Sequence, residues 1–261
     1  MSREHRGTIF LEDARVLRHT QFEDNQYVIR VQAPQCAAHA QPGSFAHVTC
    51  DEAIPMRRPL SLMRVDADAG WVEMLYKVVG PGLHALTARK EGDIVSLLGP
   101  IGRGFTPHVE RPRTLLIGGG VGVAPLVDTA ERAIRAGHHV VAMMGGRSDR
   151  HLLSASEWPK EVEYVVVTED GSAGPKGFVT QHLGKYQEWA NRIYACGPNP
   201  MFQSLADVLR NNGRRQFPEI LMEENMPCGW GMCYGCGIFT KHQGVKLCCK
   251  DGPKFNLFEV F

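Results

Sequence analysis

Cys228, Cys233 and Cys236 stand at C-x4-C-x2-C spacing, and Cys248 and Cys249 follow, so five of the chain's eight cysteines fall in one short C-terminal stretch. The residues between them, Gly229, Trp230, Gly231, Met232, Tyr234 and Gly235, are glycine-rich enough to wrap a loop tightly around something compact. Plant-type [2Fe–2S] proteins use this spacing with a distant fourth cysteine, whereas structural zinc sites pair their cysteines as two close knuckles. Only one close pair is present here, which points to an iron–sulfur cluster and leaves a zinc module as the alternative from another class. Vicinal side chains in an extended chain point to opposite sides. One of Cys248 and Cys249 can therefore face the metal, and spacing alone does not choose between them.

The 261 residues are 43% hydrophobic and carry a net charge of +1, enough for two domains and a small module. The charge balance argues against nucleic acid or a membrane surface as partner. The charged start MSREHRGTIF has no secretory pattern, and no apolar run approaches the ~20 residues that span a bilayer. Clustered thiols in such a chain fit the cytoplasm.

From Gly7 to about Phe105 the chain shows short apolar runs broken by Pro and Gly: Tyr27–Val31, Phe45–Thr49, Trp71–Tyr76 and Ile94–Leu98. This pattern predicts a small antiparallel barrel with one short helix, Leu83 to Ala88, after the turn Gly80-Pro81-Gly82. Within it, Arg58-Pro59-Leu60-Ser61 places a cation and a hydroxyl where both can meet an anion. Read alone, Arg58 is more often a solvated strand-end charge.

Beyond the Pro-containing linker Thr106 to Pro112, the pattern changes to strand, glycine turn and helix: Thr114–Ile117, Gly118–Gly122, then Ala124 to Ala136. Further strands are predicted at Val140–Met144, Glu163–Thr168 and Arg192–Ala195, with helical stretches at Val179–Leu183 and Pro200–Asn211. Such alternation implies a parallel sheet with helices on its faces. The glycine turn lacks G-x-G-x-x-G spacing. A second constellation, Cys196-Gly197-Pro198-Asn199-Pro200-Met201, follows a later strand at the same sheet edge, where open parallel sheets bind ligands.

Three of these stretches together, Arg58 to Ser61, Gly119-Gly120-Val121-Gly122-Val123-Ala124-Pro125-Leu126 and Cys196-Gly197-Pro198, resemble the flavin and nicotinamide motifs of the ferredoxin reductase superfamily. Leu60 stands where many members have an aromatic residue, and Leu83 where many have a hydroxyl. The C-terminal stretch Met222-Glu223-Glu224-Asn225-Met226, the cysteines and Cys249-Lys250-Asp251-Gly252-Pro253 narrow the resemblance to the electron-transfer subunits of class 1B dihydroorotate dehydrogenases.

That resemblance implies an α+β multi-domain chain. Residues 1–107 would form an antiparallel FAD-binding β-barrel, 108–217 a Rossmann-like NAD(P)-binding domain, and 218–261 a small [2Fe–2S] module. FAD would be held by Arg58, Pro59, Leu60, Ser61, Leu75, Tyr76, Lys77, Gly82 and Leu83. NAD(H) would be held by Gly119, Gly120, Val121, Gly122, Asp170, Cys196, Gly197, Pro198 and Met201. The cluster would be held by Cys228, Cys233, Cys236 and Cys249, Cys249 being the cysteine two residues before D-G-P. No side chain is needed as an acid or base. The implied partner is an FMN-containing dihydroorotate dehydrogenase catalytic subunit, in an assembly with two of each chain. The same fold would also suit an NAD(P)H reductase serving a ferredoxin, a hydrogenase or a sulfite reductase.

Overall fold

The computed structural model describes residues 9–105, 113–212 and 218–261. The predicted linker Thr106 to Pro112 lies outside them. The described residues divide into two compact units. One holds the chain up to Gly104 with Glu224–Ile238 and Val245–Pro253; the other holds Phe105 to Glu223 with Phe239–Gly244 and Lys254–Phe261.

In the first unit, β1 (Phe10–Gln21), β2 (Gln26–Gln32), β3 (Phe45–Val48), β4 (Arg58–Asp66), β5 (Trp71–Lys77) and β6 (Ile94–Ile101) close into an antiparallel barrel, in the order β1-β2-β5-β4-β3-β6. Alternate residues point inward. The interior is packed with Val16, Ile29, Val31, Ala46, Val48, Leu60, Leu62, Val72, Met74 and Leu97. Two helices interrupt the strands rather than the single one expected. The predicted one begins at Gly80 and is α2 (Gly80–Leu86); the other is α1 (Pro34–His39). Pro34 in the first turn is the one local start signal of α1, and its first amides are satisfied from elsewhere in the chain. The Glu12 carboxylate accepts from Gln35 N at 3.0 Å and Cys36 N at 2.8 Å.

In the second unit, β7 (Arg113–Gly119), β8 (His139–Gly146), β9 (Glu163–Thr168), β10 (Arg192–Cys196) and β11 (Glu219–Leu221) form a parallel sheet, with α3 (Ala124–Arg135), α4 (Gly184–Trp189) and α5 (Asn199–Asn211) between its strands. The sequence predicted a parallel sheet, and the structure adds an antiparallel edge. After the two-stranded β12 (Gly237–Thr240) and β13 (Gly244–Leu247), the strand β14 (Lys254–Asn256) pairs antiparallel with β11 and leads into α6 (Leu257–Val260). The order is β14-β11-β10-β7-β8-β9. The predicted helical stretch at Val179–Leu183 is a short 3-10 turn, Val179–His182, ahead of α4.

Leu62 is 1% exposed inside the barrel, whereas Leu11, on β1, is 66% exposed. Leu62→Ala should destabilise the protein by about 2–5 kcal/mol through lost burial and a cavity. Leu11→Ala should change stability by less than about 0.5 kcal/mol. Urea unfolding followed by circular dichroism checks both; equal effects would mean that the barrel interior is packed differently.

Candidate functional site

Arg58-Pro59-Leu60-Ser61 opens β4, paired with β3 in the register Val48↔Arg58, His47↔Pro59, Ala46↔Leu60 and Phe45↔Ser61. This register turns Leu60 into the barrel core, while Arg58, Pro59 and Ser61 stay half-buried. The Arg58 guanidinium is held by the carbonyl of Met56 at 2.7 Å and lies against Gly82, where a Cβ would stand 2.6 Å from Nε. Only glycine leaves room there, so a cation and the opening turn of α2, 24 residues apart in sequence, meet at one point. That turn has Pro81 in its first positions and no side-chain cap on its amides. A guanidinium beside uncapped amides is a pair of donors suited to a phosphate.

The remaining flavin candidates are less free. Leu75 and Tyr76 are buried in β5. The Tyr76 hydroxyl bonds His19 Nε2 at 2.8 Å, and its ring stacks on Tyr27 with centroids 5.5 Å apart. Lys77 forms an ion pair with Asp24.

In the second unit β7 runs into a 3-10 turn, Gly120–Val123, and then α3. The adjacent β10 ends at Cys196, opposite Gly118. The two motifs touch: a Cβ at Gly122 would stand 2.7 Å from the Cys196 carbonyl oxygen, and one at Gly119 would stand 3.0 Å from Met201 Sδ and Pro198 Cδ. Glycine at 119 and 122 is the condition for this approach, and Gly120 also has φ +57°. The structure thus brings Gly119 and Gly122 together with Cys196, Gly197, Pro198 and Met201 at the carboxyl ends of neighbouring strands. Asp170 follows β9, which β8 separates from β7. Its carboxylate is exposed and accepts from Ser172 Oγ at 2.6 Å and Ser172 N at 2.9 Å, which lowers its pKa.

The thiols come as two pairs. Cys228 and Cys233 interact through their side chains, and Cys236 Sγ lies 3.3 Å from Cys249 Sγ. Among the described residues no three potential ligands are grouped as they would be around a single ion. Four thiols in two neighbouring pairs fit a two-iron cluster, whose metals are held by four cysteines in all. The fully buried Cys248 instead donates its backbone N–H to the Cys236 carbonyl at 2.9 Å.

Glycines with positive φ, Gly229 (+70°) and Gly231 (+75°), and Tyr234 (+58°) curl the backbone so that amides face sulfur. Trp230 N reaches Cys228 Sγ, Gly235 N reaches Cys233 Sγ and Cys249 N reaches Cys236 Sγ, each at 3.4 Å. At Cys228 burial would raise the pKa, but the amides of Cys233, Trp230 and Met232 and the Cys233 thiol outweigh it and bring it down to about 6. Burial, and then the neighbouring Cys236, push Cys249 up to about 12. Metal binding at this pair would therefore release a proton.

These loops sit on the outer face of the barrel. Gly229 lies against His47 and Ile101, and a Cβ at Gly102 (φ +88°) would overlap Pro253. Arg103 N donates to the Gly252 carbonyl at 2.6 Å. A cleft of about 420 Å³ beside them is lined by Met56 and Arg57 on one side and by Cys228 and Trp230 on the other.

Sequence reasoning missed His47. It is 0% exposed, although alternation turns it outward, and neither ring nitrogen has a hydrogen-bond partner. Leaving a buried donor unmet costs about 1–3 kcal/mol. Burial, and then the Arg57 cation, hold its pKa down to about 4. No local signal could have found it: Phe45 to Val48 is buried at every position because both faces of that strand are covered in the folded chain.

Residues 223–261 match the family model described as the iron-sulfur cluster binding domain of dihydroorotate dehydrogenase B, and residues 116–207 match the oxidoreductase NAD-binding domain. The chain is 34% identical to the dihydroorotate dehydrogenase B (NAD(+)) electron transfer subunit of Desulforamulus reducens over 95% of its own length and 97% of the relative's. It is 33% identical to the protein of the same name from Geobacillus sp., over 95% and 98%. Among solved structures, it superposes with a TM-score of 0.84 and 28% identity on a chain of the NADH-dependent reduced ferredoxin-NADP oxidoreductase, covering 96% of this chain and 90% of that one.

The thiol geometry is tested by two substitutions. Cys249→Ser, which removes the sulfur facing Cys236, should abolish iron binding, whereas Cys248→Ser should retain about two irons per chain. Iron and sulfide assays on anaerobically purified protein decide it, and equal loss from both would overturn the assignment of the fourth thiol.

Proposed function

The chain belongs to the family of dihydroorotate dehydrogenase B (NAD(+)) electron transfer subunits, and on that premise we propose that it passes electrons between an FMN-bearing dihydroorotate dehydrogenase subunit and NAD+ through a [2Fe–2S] cluster and FAD. The observation that supports this most is the composition of the barrel unit, which contains both the anion-binding pair Arg58 and Gly82 and the four thiols.

FAD supplies the exchange between a two-electron hydride and single electrons, and the cluster carries single electrons. The chain's own residues bind and orient. Arg58, with the amides at Gly82 and Leu83, holds the FAD phosphates, and Ser61 offers its hydroxyl to the flavin. Gly119, Gly120 and Gly122 let the backbone approach the dinucleotide, with Cys196, Gly197, Pro198 and Met201 forming the facing wall. Cys228, Cys233, Cys236 and Cys249 hold the iron, and backbone amides of the loop donate to their sulfurs.

The exposed Trp230, Met232 and Tyr234 around these thiols offer an apolar face to the partner subunit. Among the described residues no helix is long and apolar enough to cross a membrane. The cytoplasmic location we propose rests on the clustered thiols, which serve metals where thiols are kept reduced. A second reading, a reductase subunit serving another electron partner, draws on the likeness to the ferredoxin-NADP oxidoreductase chain.

Arg58→Ala should weaken FAD binding by about 1.5–3 kcal/mol, the range of a charge-assisted hydrogen bond. The variant is expected to release FAD on gel filtration and keep its iron. Full flavin retention would move the cofactor away from Arg58.

The order of carriers is tested with Cys233→Ser, which removes one iron ligand. NADH should still bleach the flavin and reduce a small dye, because hydride transfer needs only near-contact of nicotinamide and flavin. Electron exchange with an FMN dihydroorotate dehydrogenase should stop. Coupling at the normal rate without the cluster would sink the proposed order. Wild-type protein that passes electrons to a ferredoxin but never to the dihydroorotate dehydrogenase would favour the second reading.

A further inference from the structure

The His47 ring brings unmet hydrogen-bonding capacity from the barrel's outer face to the cysteine loop. On one side of it β3 pairs with the flavin-motif strand, His47 opposite Pro59. On the other side lies Gly229, between Cys228 and Trp230, and a Cβ built there would stand 3.0 Å from both His47 Nδ1 and His47 Cε1. The Nδ1 and Cε1 atoms of the ring therefore lie against the loop at Gly229.

In every protonation state an imidazole carries at least one N–H donor, and neither nitrogen of His47 has a partner. Phe45, with ring centroids 5.8 Å apart, and Ile101, which shares the contact with Gly229, are apolar neighbours of the ring, and the nearby Arg57 cation offers only donors and so cannot accept from it. Around it the loop directs amides at sulfur, as Trp230 N does toward Cys228 Sγ. Among the described residues no cysteine sulfur stands within hydrogen-bond reach of either ring nitrogen, so the acceptor left to a donor beside this loop is an inorganic sulfide of a bound cluster.

We propose that His47 is a positioning residue for electron transfer, its ring N–H donating to a sulfur of the iron–sulfur centre held by Cys228, Cys233, Cys236 and Cys249 and raising the reduction potential of that centre. The proposal rests on the cluster reading of the four thiols. When the centre gains one electron, its electron donor loses one, and the extra negative charge falls on iron and sulfur. A hydrogen bond to sulfur stabilises the more negative state, so it raises the potential. The proton stays on the ring throughout.

The experiment compares wild type, His47→Phe and His47→Asn, all purified anaerobically. Phe keeps the planar ring and loses the donor; Asn keeps a donor near the Nδ1 position. Iron and sulfide are assayed first, since a wild-type protein without iron would refute the cluster reading itself, before His47 is tested. With iron present, His47→Phe should keep FAD and iron, shift the midpoint potential of the cluster to a more negative value in an EPR-monitored titration, and leave the FAD potential unchanged. His47→Asn should recover most of that shift. Assembly of the cluster in His47→Asn but not in His47→Phe would also support the donor role. A wild-type cluster potential and EPR spectrum in His47→Phe would reduce His47 to packing and overturn the proposal. A shift of the flavin potential alone would assign the donor to the flavin and overturn it too, as would failure of both variants to assemble a cluster.

Discussion

The close approach of backbone to backbone between the cysteine loops and the outer face of β3 and β6 is the constraint on which the barrel unit depends. Phe45 and His47 point away from the barrel core, and in an uncovered barrel they would face water. They are buried because Gly102 and Gly229 lack side chains, so that Pro253 and the loop after Cys228 can lie directly on them. The bond from Arg103 N to the Gly252 carbonyl fixes the second loop at the same place. Without these glycines the thiols would still stand at the right spacing in sequence, but nothing would hold them against the strand that pairs with the flavin motif.

A similar economy of side chains recurs at the two nucleotide motifs. Gly82 leaves space that the Arg58 guanidinium fills, and Gly122 leaves space that the Cys196 carbonyl fills. In each case a missing Cβ brings together segments distant in sequence.

Much of this was legible in the sequence because the signals were local. Cysteine spacing, the change from alternating strands to strand-turn-helix units, and the glycine turn after β7 each depend on neighbouring residues. What was not legible depends on distant partners. The helix Pro34–His39 takes its N-terminal acceptors from Glu12, the antiparallel edge Lys254–Asn256 exists only through pairing with Glu219–Leu221, and the burial of His47 depends on a loop some 180 residues later. The Cys236–Cys249 approach is of the same kind: the strand period leaves Cys248 and Cys249 as alternatives, and the sulfur contact of Cys249 at 3.3 Å depends on a residue 13 positions earlier. Leu60 and Tyr76 lie in flavin-motif stretches, yet the register turns the first into the barrel core and a bond to His19 engages the second.

The electrostatics of the cysteine loop explain why its backbone is so contorted. Four thiolates around iron leave net negative charge in a partly buried place, and charge removed from water must be met by dipoles or counter-ions. The donors that face these sulfurs are main-chain amides, turned inward by positive φ at Gly229, Gly231 and Tyr234. Amides are fixed in direction and cannot swing away as a lysine can, so they stabilise the charge without a mobile side chain between the metal and a docking partner. On the side that faces the barrel the loops are seated on Phe45, His47, Ile101 and Gly102, so the amides that donate to sulfur are carried by backbone in direct contact with the strands.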